Sequence, residues 1–180
     1  MNVCVFCGSG TGANPVYAEA TKDLAFLLSQ NKCSLVYGGG NIGLMGILAD
    51  EMLKNSARVI GVIPDFLVQR EVAHNGLSEL IVVTSMHERK KRMADLTDVF
   101  IALPGGIGTL DEMAEILTWK QLGLIRNPVG LLNTNRYFDP LIRQLEKMVE
   151  DGFLKKENLE AIKISGNPLQ LLTFLGVVAV

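Results

Sequence analysis

The chain has 180 residues, of which 48% are hydrophobic and 20% charged, with a formal net charge of −2. Its mean hydropathy is +0.28 and its sequence pI about 5.7. That length suits one domain with a two-sided core, so residues 1–180 read as a single domain. The slightly acidic balance, with no basic tail, argues against a nucleic-acid-binding surface.

The apolar content fits a parallel sheet buried on both faces, with material left for a subunit interface. Val3-Cys4-Val5-Phe6 opens the chain as a strand over 3–7, with no basic segment or cleavage site before it, so it does not read as a signal peptide. Further strands are expected over 34–37, 59–63, 80–84, 99–103, 129–132 and 161–164. Amphipathic stretches over 17–29, 44–55, 86–96, 110–122, 137–150 and 168–175 read as helices. Strands rich in Val, Ile and Leu, each followed by a helix, predict right-handed crossovers on a Rossmann-like, doubly wound parallel α/β sheet. The apolar run after 169 is well short of the ~20 residues that span a bilayer, and reads as a buried or interface segment.

Three cysteines make a disulfide framework a poor explanation. Cys4 and Cys7 have C-x-x-C spacing, but positions three apart on a strand face opposite ways, so they read as buried thiols. A reducing, cytoplasmic setting is expected, and no residue set calls for a metal.

In doubly wound sheets ligands bind beyond the carboxyl ends of the strands, where first helical turns expose unpaired N–H groups. Three glycine-rich loops fall at such ends: Gly8-Ser9-Gly10-Thr11-Gly12, Gly38-Gly39-Gly40-Asn41-Ile42-Gly43 and Pro104-Gly105-Gly106-Ile107-Gly108-Thr109. The second satisfies G-x-G-x-x-G, with Asp65 further on as a ribose acid. That fingerprint normally follows the first strand, however, so an NAD-dependent enzyme is a weak reading. The connection 64–78, carrying Glu71 and His74, is about fifteen residues long, which predicts a functional role or a short extra helix.

The third loop carries the most chemistry. Glycines let the backbone approach an anion, so N–H groups and the helix dipole can hold a phosphate, with the Thr109 hydroxyl adding a donor. No Gly-Lys-Ser/Thr follows, so triphosphate hydrolysis is poorly supported. Glu112 lies about one turn into the helix. Helix phase puts Leu110, Met113, Ala114 and Leu117 toward the sheet and Glu112, Ile116 and Trp119 on the opposite face, which predicts a homodimer covering that face near the site. In the run Ser85-Met86-His87-Glu88-Arg89-Lys90-Lys91-Arg92-Met93, residues Met86, Arg89, Lys90 and Met93 share a face. Arg89 is thereby expected to point inward, toward a phosphate or a carboxylate such as Glu112. His87 falls off that face and reads as a surface residue.

These residues resemble a known family. Pro104-Gly105-Gly106-Ile107-Gly108-Thr109-Leu110-Asp111-Glu112 is similar to the P-G-G-x-G-T-x-x-E motif of the Lonely Guy (LOG) family, cytokinin riboside 5′-monophosphate phosphoribohydrolases long labelled lysine decarboxylases. Met86-His87-Glu88-Arg89-Lys90 resembles its second signature, Gly38 to Gly46 its other glycine loop, and Cys7-Gly8-Ser9 its opening one. Two departures stand out: Asp111 where Glu is frequent, and Gly10 where a second serine is common.

The resemblance implies hydrolysis of the N-glycosidic bond of a nucleoside 5′-monophosphate, AMP or an N6-modified cytokinin riboside monophosphate, to free base and ribose 5-phosphate. It implies Arg89 and Glu112 as the catalytic pair and Gly106, Ile107, Gly108 and Thr109 on the phosphate, with Gly105 beside them. Ser9, Gly39, Gly40, Glu71, Met86, Lys90 and Thr118 are implied as further substrate-binding residues. It implies no metal or organic cofactor, whereas lysine decarboxylation would require a pyridoxal-type group for which no site is evident. The alternative reading is a non-catalytic nucleotide- or cofactor-binding protein on the same fold. It would need the loops but not the Arg89 and Glu112 pair.

Overall fold

The protein is described by a computed structural model covering residues 1–68 and 73–179. Its strands are β1 (Asn2–Phe6), β2 (Ser34–Tyr37), β3 (Val59–Pro64), β4 (Glu79–Val83), β5 (Val99–Ala102), β6 (Val129–Leu132) and β7 (Ile162–Ser165). All pair in parallel, in the order β4-β3-β2-β1-β5-β6-β7. Between them run α1 (Val16–Gln30), α2 (Gly43–Lys54), α3 (Met86–Asp95), α4 (Ile107–Gln121), α5 (Asp139–Glu150) and α6 (Lys156–Glu160), and α7 (Pro168–Phe174) follows β7. The doubly wound α/β architecture expected from the sequence is the one observed.

Period-2 alternation sorts the strand side chains into two cores. Val3, Val5 and Cys7 point to one face and pack with Leu24 and Leu28 of α1, Leu48 and Met52 of α2, and Leu171 and Leu172 of α7. Cys4 and Phe6 point to the other, with Val36, Ile60, Val62, Phe100, Met93 of α3, and Met113 and Ile116 of α4. The two cysteines of the C-x-x-C spacing therefore belong to different cores, and burial pushes both thiols up. The apolar run after 169 starts in α7, which buries Leu171 and Leu172 and leaves Leu169 and Phe174 exposed. No helix among the described residues is long and apolar enough to cross a membrane.

Two expectations need correcting. The five-residue α6, Lys156-Glu157-Asn158-Leu159-Glu160, was not foreseen, because one polar turn carries no apolar periodicity. The phase of α4 is also different. Its buried positions are Thr109, Glu112, Met113 and Ile116, an i, i+3, i+4, i+7 stripe, while Ala114 is exposed and Leu110 and Leu117 are only half-buried. Reading the wheel from Leu110 placed the core face about one residue out of phase. Ile116 belongs to the sheet core and Trp119 packs against it, so neither needs a partner subunit to cover it.

The long connection 64–78 does contain a short extra helix, a 3-10 turn at Asp65–Leu67. Its far end is fastened by His74, which is buried. Nδ1 of His74 accepts the Gly76 N–H at 3.0 Å, leaving Nε2 to donate to Asp50 Oδ1 at 2.9 Å. The histidine thus pins the connection to α2. His87 is exposed, as expected.

Helix α3, which carries Arg89, begins with a reciprocal cap. Ser85 Oγ accepts the Glu88 N–H at 3.1 Å, and Glu88 Oε2 accepts the Thr84 N–H at 2.9 Å and its hydroxyl at 2.8 Å. The Thr84 backbone and hydroxyl donors hold the Glu88 carboxyl below its ordinary value. A group with a depressed folded pKa stabilises the native state above the ordinary carboxylate range and loses that contribution as pH falls through the lowered value. We expect Glu88→Gln to melt below the wild type at pH 7, with the gap closing below about pH 4. A gap that stays constant across thermal melts from pH 7 to pH 3 would show that the carboxylate charge is not what holds the cap.

Candidate active site

The strand order reverses between β1 and β5, and a doubly wound sheet opens its ligand crevice at that point. A pocket of about 280 Å³ lies there, lined by Cys7, Gly8 and Ser9 after β1, Gly38 after β2, Leu67, Met86 and Arg89 of α3, and 106–109 and Glu112 of α4. One wall is the first turn of α4. Its hydrogen-bond ladder begins with Leu110 N–H to Gly106 O at 3.2 Å, so the N–H groups of Ile107, Gly108 and Thr109 precede any intrahelical acceptor. A methyl group on Gly106 or Gly108 would meet nothing within 4 Å, so the backbone there is open to a ligand. Gly105 is the reverse case. A Cβ on it would overlap the Thr109 hydroxyl, and glycine lets the loop fold back on its own helix.

The opposite wall is Arg89. It is 5% exposed, and its side chain lies across the carboxyl ends of β3 and β2. Nε donates to Val62 O at 3.1 Å and Nη2 to Gly38 O at 3.3 Å, with Nη2 3.8 Å from Glu112 Oε1. Gly38 makes room for this: a Cβ there would overlap Nη2 and sit 3.2 Å from Met45 Sδ. Glu112, 9% exposed, reaches the guanidinium from the next helix. Two residues of opposite charge, 23 positions apart in the chain, thus meet inside the protein at the pocket floor. A buried charge pair is retained in a pocket only with good geometry, and here backbone carbonyls supply the remaining acceptors.

The other sequence-predicted residues divide into two groups. Ser9, Met86, Gly106, Ile107, Gly108 and Thr109 line the same pocket. Gly105 lines an adjoining one of about 270 Å³ with Gly12, Tyr17, Leu44 and Tyr137, and Ser9 and Gly106 border both.

Lys90 points elsewhere, to Asp111 at 3.2 Å and Glu115 at 3.0 Å. Burial works against its charge, but those carboxylates outweigh it and raise its pKa. Gly39 and Gly40 do not line the pocket. Gly39 O accepts the His74 N–H and Gly40 forms a bridge with Ala73, so both serve the close packing of the 64–78 connection. Thr118 sits two turns along α4 from Glu112, in an apolar groove between α4 and α5, and its hydroxyl donates to Ala114 O. Glu71 lies outside the described residues.

Sequence reasoning missed Gly38, Met45 and Leu67 as pocket residues, although the glycine loop already marked the first. It also missed Tyr137, whose hydroxyl donates to Gly105 O, because nothing at the start of a helix thirty positions on signals a contact with a loop. Among the described residues no three His, Cys, Asp or Glu side chains gather in a way that could hold a metal ion.

The open first turn of α4 thus faces a buried Arg–Glu pair at the switch point of a doubly wound α/β sheet, the place where proteins of this architecture take small ligands. A family model described as "Possible lysine decarboxylase" matches residues 45–175. A cytokinin riboside 5′-monophosphate phosphoribohydrolase of Arabidopsis thaliana is 42% identical over 173 residues, covering 96% of this chain and 81% of that one. A probable enzyme of the same name from Oryza sativa subsp. japonica is 43% identical over 170 residues, covering 94% and 70%. The chain belongs to the Lonely Guy family. Among solved structures, the molybdenum cofactor binding protein of Rippkaea orientalis superposes with a TM-score of 0.72 at 23% identity, covering 97% of this chain and 94% of that one. The molybdenum cofactor carrier protein of Chlamydomonas reinhardtii gives 0.72 at 18% identity, covering 99% and 98%. At those identities the likeness is one of fold.

The Arg89 and Glu112 pair is open to a double-mutant cycle. Arg89→Met and Glu112→Gln should each destabilise the protein, by about 3–5 kcal/mol, because each leaves a charged partner buried. The double variant should lose clearly less than the sum in urea unfolding. Strict additivity would mean that the two side chains do not act on one another.

Proposed function

We propose that the protein is a nucleoside 5′-monophosphate phosphoribohydrolase, which splits AMP or an N6-modified adenosine monophosphate into free base and ribose 5-phosphate. The observation that carries this reading is the Arg89–Glu112 pair, 3.8 Å apart and facing the open turn 106–109 across one pocket. A protein that only holds nucleotides has use for the turn but none for a carboxylate and guanidinium buried together beside it. That favours the enzyme over the binding-protein alternative.

The chemistry follows from the charges. The 5′-phosphate binds the N–H groups of 106–109, helped by the α4 dipole. Cleavage of the ribosyl C–N bond passes through an oxocarbenium-like state with positive charge at C1′ and the ring oxygen, as in glycoside hydrolysis. Glu112, one turn from the phosphate site, provides negative charge for that cation and a base to orient the attacking water. Arg89, fixed by the Val62 and Gly38 carbonyls, holds the Glu112 carboxylate in place. Ser9 and Met86 line the remaining wall, and Glu71, Lys90 and Thr118 are assigned to substrate binding by family motif alone.

The same reading makes the protein cytoplasmic and a homodimer. The dimer rests on the groove between α4 and α5, not on the Glu112, Ile116 and Trp119 face. Helix α5 is amphipathic yet buries none of its residues completely. Leu141, Leu145 and Met148 from it and Met113, Ala114 and Leu117 from α4 line an apolar hollow of about 300 Å³. Thr118 borders that hollow, so in its own subunit it is an interface residue. A monomeric mass by light scattering at micromolar concentration would remove the dimer from the proposal.

The activity is tested by incubating the protein with AMP and with N6-isopentenyl-AMP and following release of free base. Glu112→Gln and Arg89→Met should each lower release at least about a hundredfold, the range expected for a positioned acid–base or electrostatic group. Equal release by Glu112→Gln, or none by the wild type from either nucleotide, would overturn the proposal.

A further inference from the structure

We propose that Tyr137 is a positioning residue, which sets the orientation of the phosphate-binding turn from the adjoining pocket and thereby the affinity for the 5′-phosphate. This rests on the reading that residues 106–109 hold that phosphate.

The argument begins with one peptide plane. Tyr137 Oη donates to the Gly105 carbonyl oxygen at 2.5 Å, across 32 positions of sequence. Among the described residues no peptide bond is cis, so the Gly105 C=O and the Gly106 N–H point in opposite directions within one rigid plane. Holding the carbonyl in the Tyr137 pocket therefore turns the Gly106 N–H away from it, to the side where Arg89 and Glu112 lie. Gly105 and Gly106 have no side chains to steady this plane, and a methyl group on Gly106 would touch nothing. The turn needs an external hold. One end has it, since the Gly8 N–H donates to Pro104 O at 3.1 Å, and Tyr137 supplies it at the next peptide.

Tyr137 is itself held with unusual care for a half-exposed side chain. It follows Asn135 and Arg136, which both have left-handed backbone, at φ 52° and 59°. Non-glycine residues in that region are uncommon, and two in succession persist only where the surroundings over-determine them. Asn133 supplies much of that constraint. Its Oδ1 accepts the Phe138 N–H at 2.7 Å and its Nδ2 donates to Asp139 Oδ1 at 2.8 Å, while its own N–H donates to Ser165 O of β7 at 2.8 Å. Arg136 Nε closes the turn on Asp139 Oδ2 at 2.6 Å. Phe138 is fully buried, and the rings of Tyr17 and Phe138 meet Tyr137 edge-on at 5.8 and 5.1 Å. A strained turn anchored to β7 thus delivers one hydroxyl to one carbonyl of the phosphate turn.

Tyr137→Phe keeps the ring and removes only the hydroxyl. The test titrates inorganic phosphate and adenosine into the wild type and the variant by calorimetry, and measures AMP hydrolysis in parallel. Phosphate affinity should fall and KM for AMP should rise by about fivefold, the worth of one net hydrogen bond. Turnover at saturation should stay within about twofold and adenosine binding should not change, since neither involves the phosphate turn in a way that differs between ground and transition state. Equal phosphate affinity in the two proteins would overturn the proposal. So would a fall in kcat at constant KM, an equal weakening of adenosine, or a wild type that does not bind phosphate. Absence of hydrolysis by the wild type would count against the phosphoribohydrolase reading, while the phosphate titration would still decide the role of Tyr137.

Discussion

The site depends on a guanidinium buried at the carboxyl ends of two strands. Desolvating a charge is costly, and Val62 O, Gly38 O and Glu112 offset that cost for Arg89 inside the protein. Each of those partners imposes a requirement elsewhere. Gly38 has to lack a side chain, α3 has to start one turn before Arg89 at the Ser85 cap, and α4 has to turn Glu112 inward. The phase of α4, with Met113 and Ile116 on the sheet core, fixes the direction of Glu112. The same helix presents its open first turn beside that carboxylate. Open turn and carboxylate are therefore two features of one rigid element, held about one turn apart.

A second layer of charge reinforces the arrangement. Lys90, next to Arg89, reaches Asp111 and Glu115, which flank Glu112 on α4. The inner pair is shielded and the outer one is nearer solvent, so the outer contributes less per contact. Its effect is to hold the two helices in register along the edge of the pocket.

Much of this was legible from the residues alone. Strands rich in Val, Ile and Leu marked the sheet, and the glycine clusters marked its carboxyl edge. The spacing of Met86, Arg89 and Met93 is enough to turn Arg89 inward. The failures have physical reasons. On α4, Leu110, Ala114 and Leu117 form as good an apolar stripe as Met113 and Ile116, and periodicity cannot say which of two stripes meets the sheet. It also put Glu112 on the face away from the sheet, under a partner subunit, although here the carboxylate is turned in beside an arginine from another helix. Lys90 shares the inward face of α3 by periodicity, yet its ammonium is drawn to two carboxylates of α4 outside the pocket. The link between Tyr137 and Gly105 left no trace, because hydrogen bonds between distant loops have no sequence period.

The burial of Arg89 also bears on when the order of the site is established. Its guanidinium is held by backbone carbonyls of the sheet, so its rotamer is selected during folding and not when ligand arrives. Ligand binding then carries little entropic penalty for arranging that charge. The cost falls on the native state, since a well-packed apolar pair of similar volume at 89 and 112 would be as stable or more so. Folding alone would not favour an arginine and a glutamate at these positions.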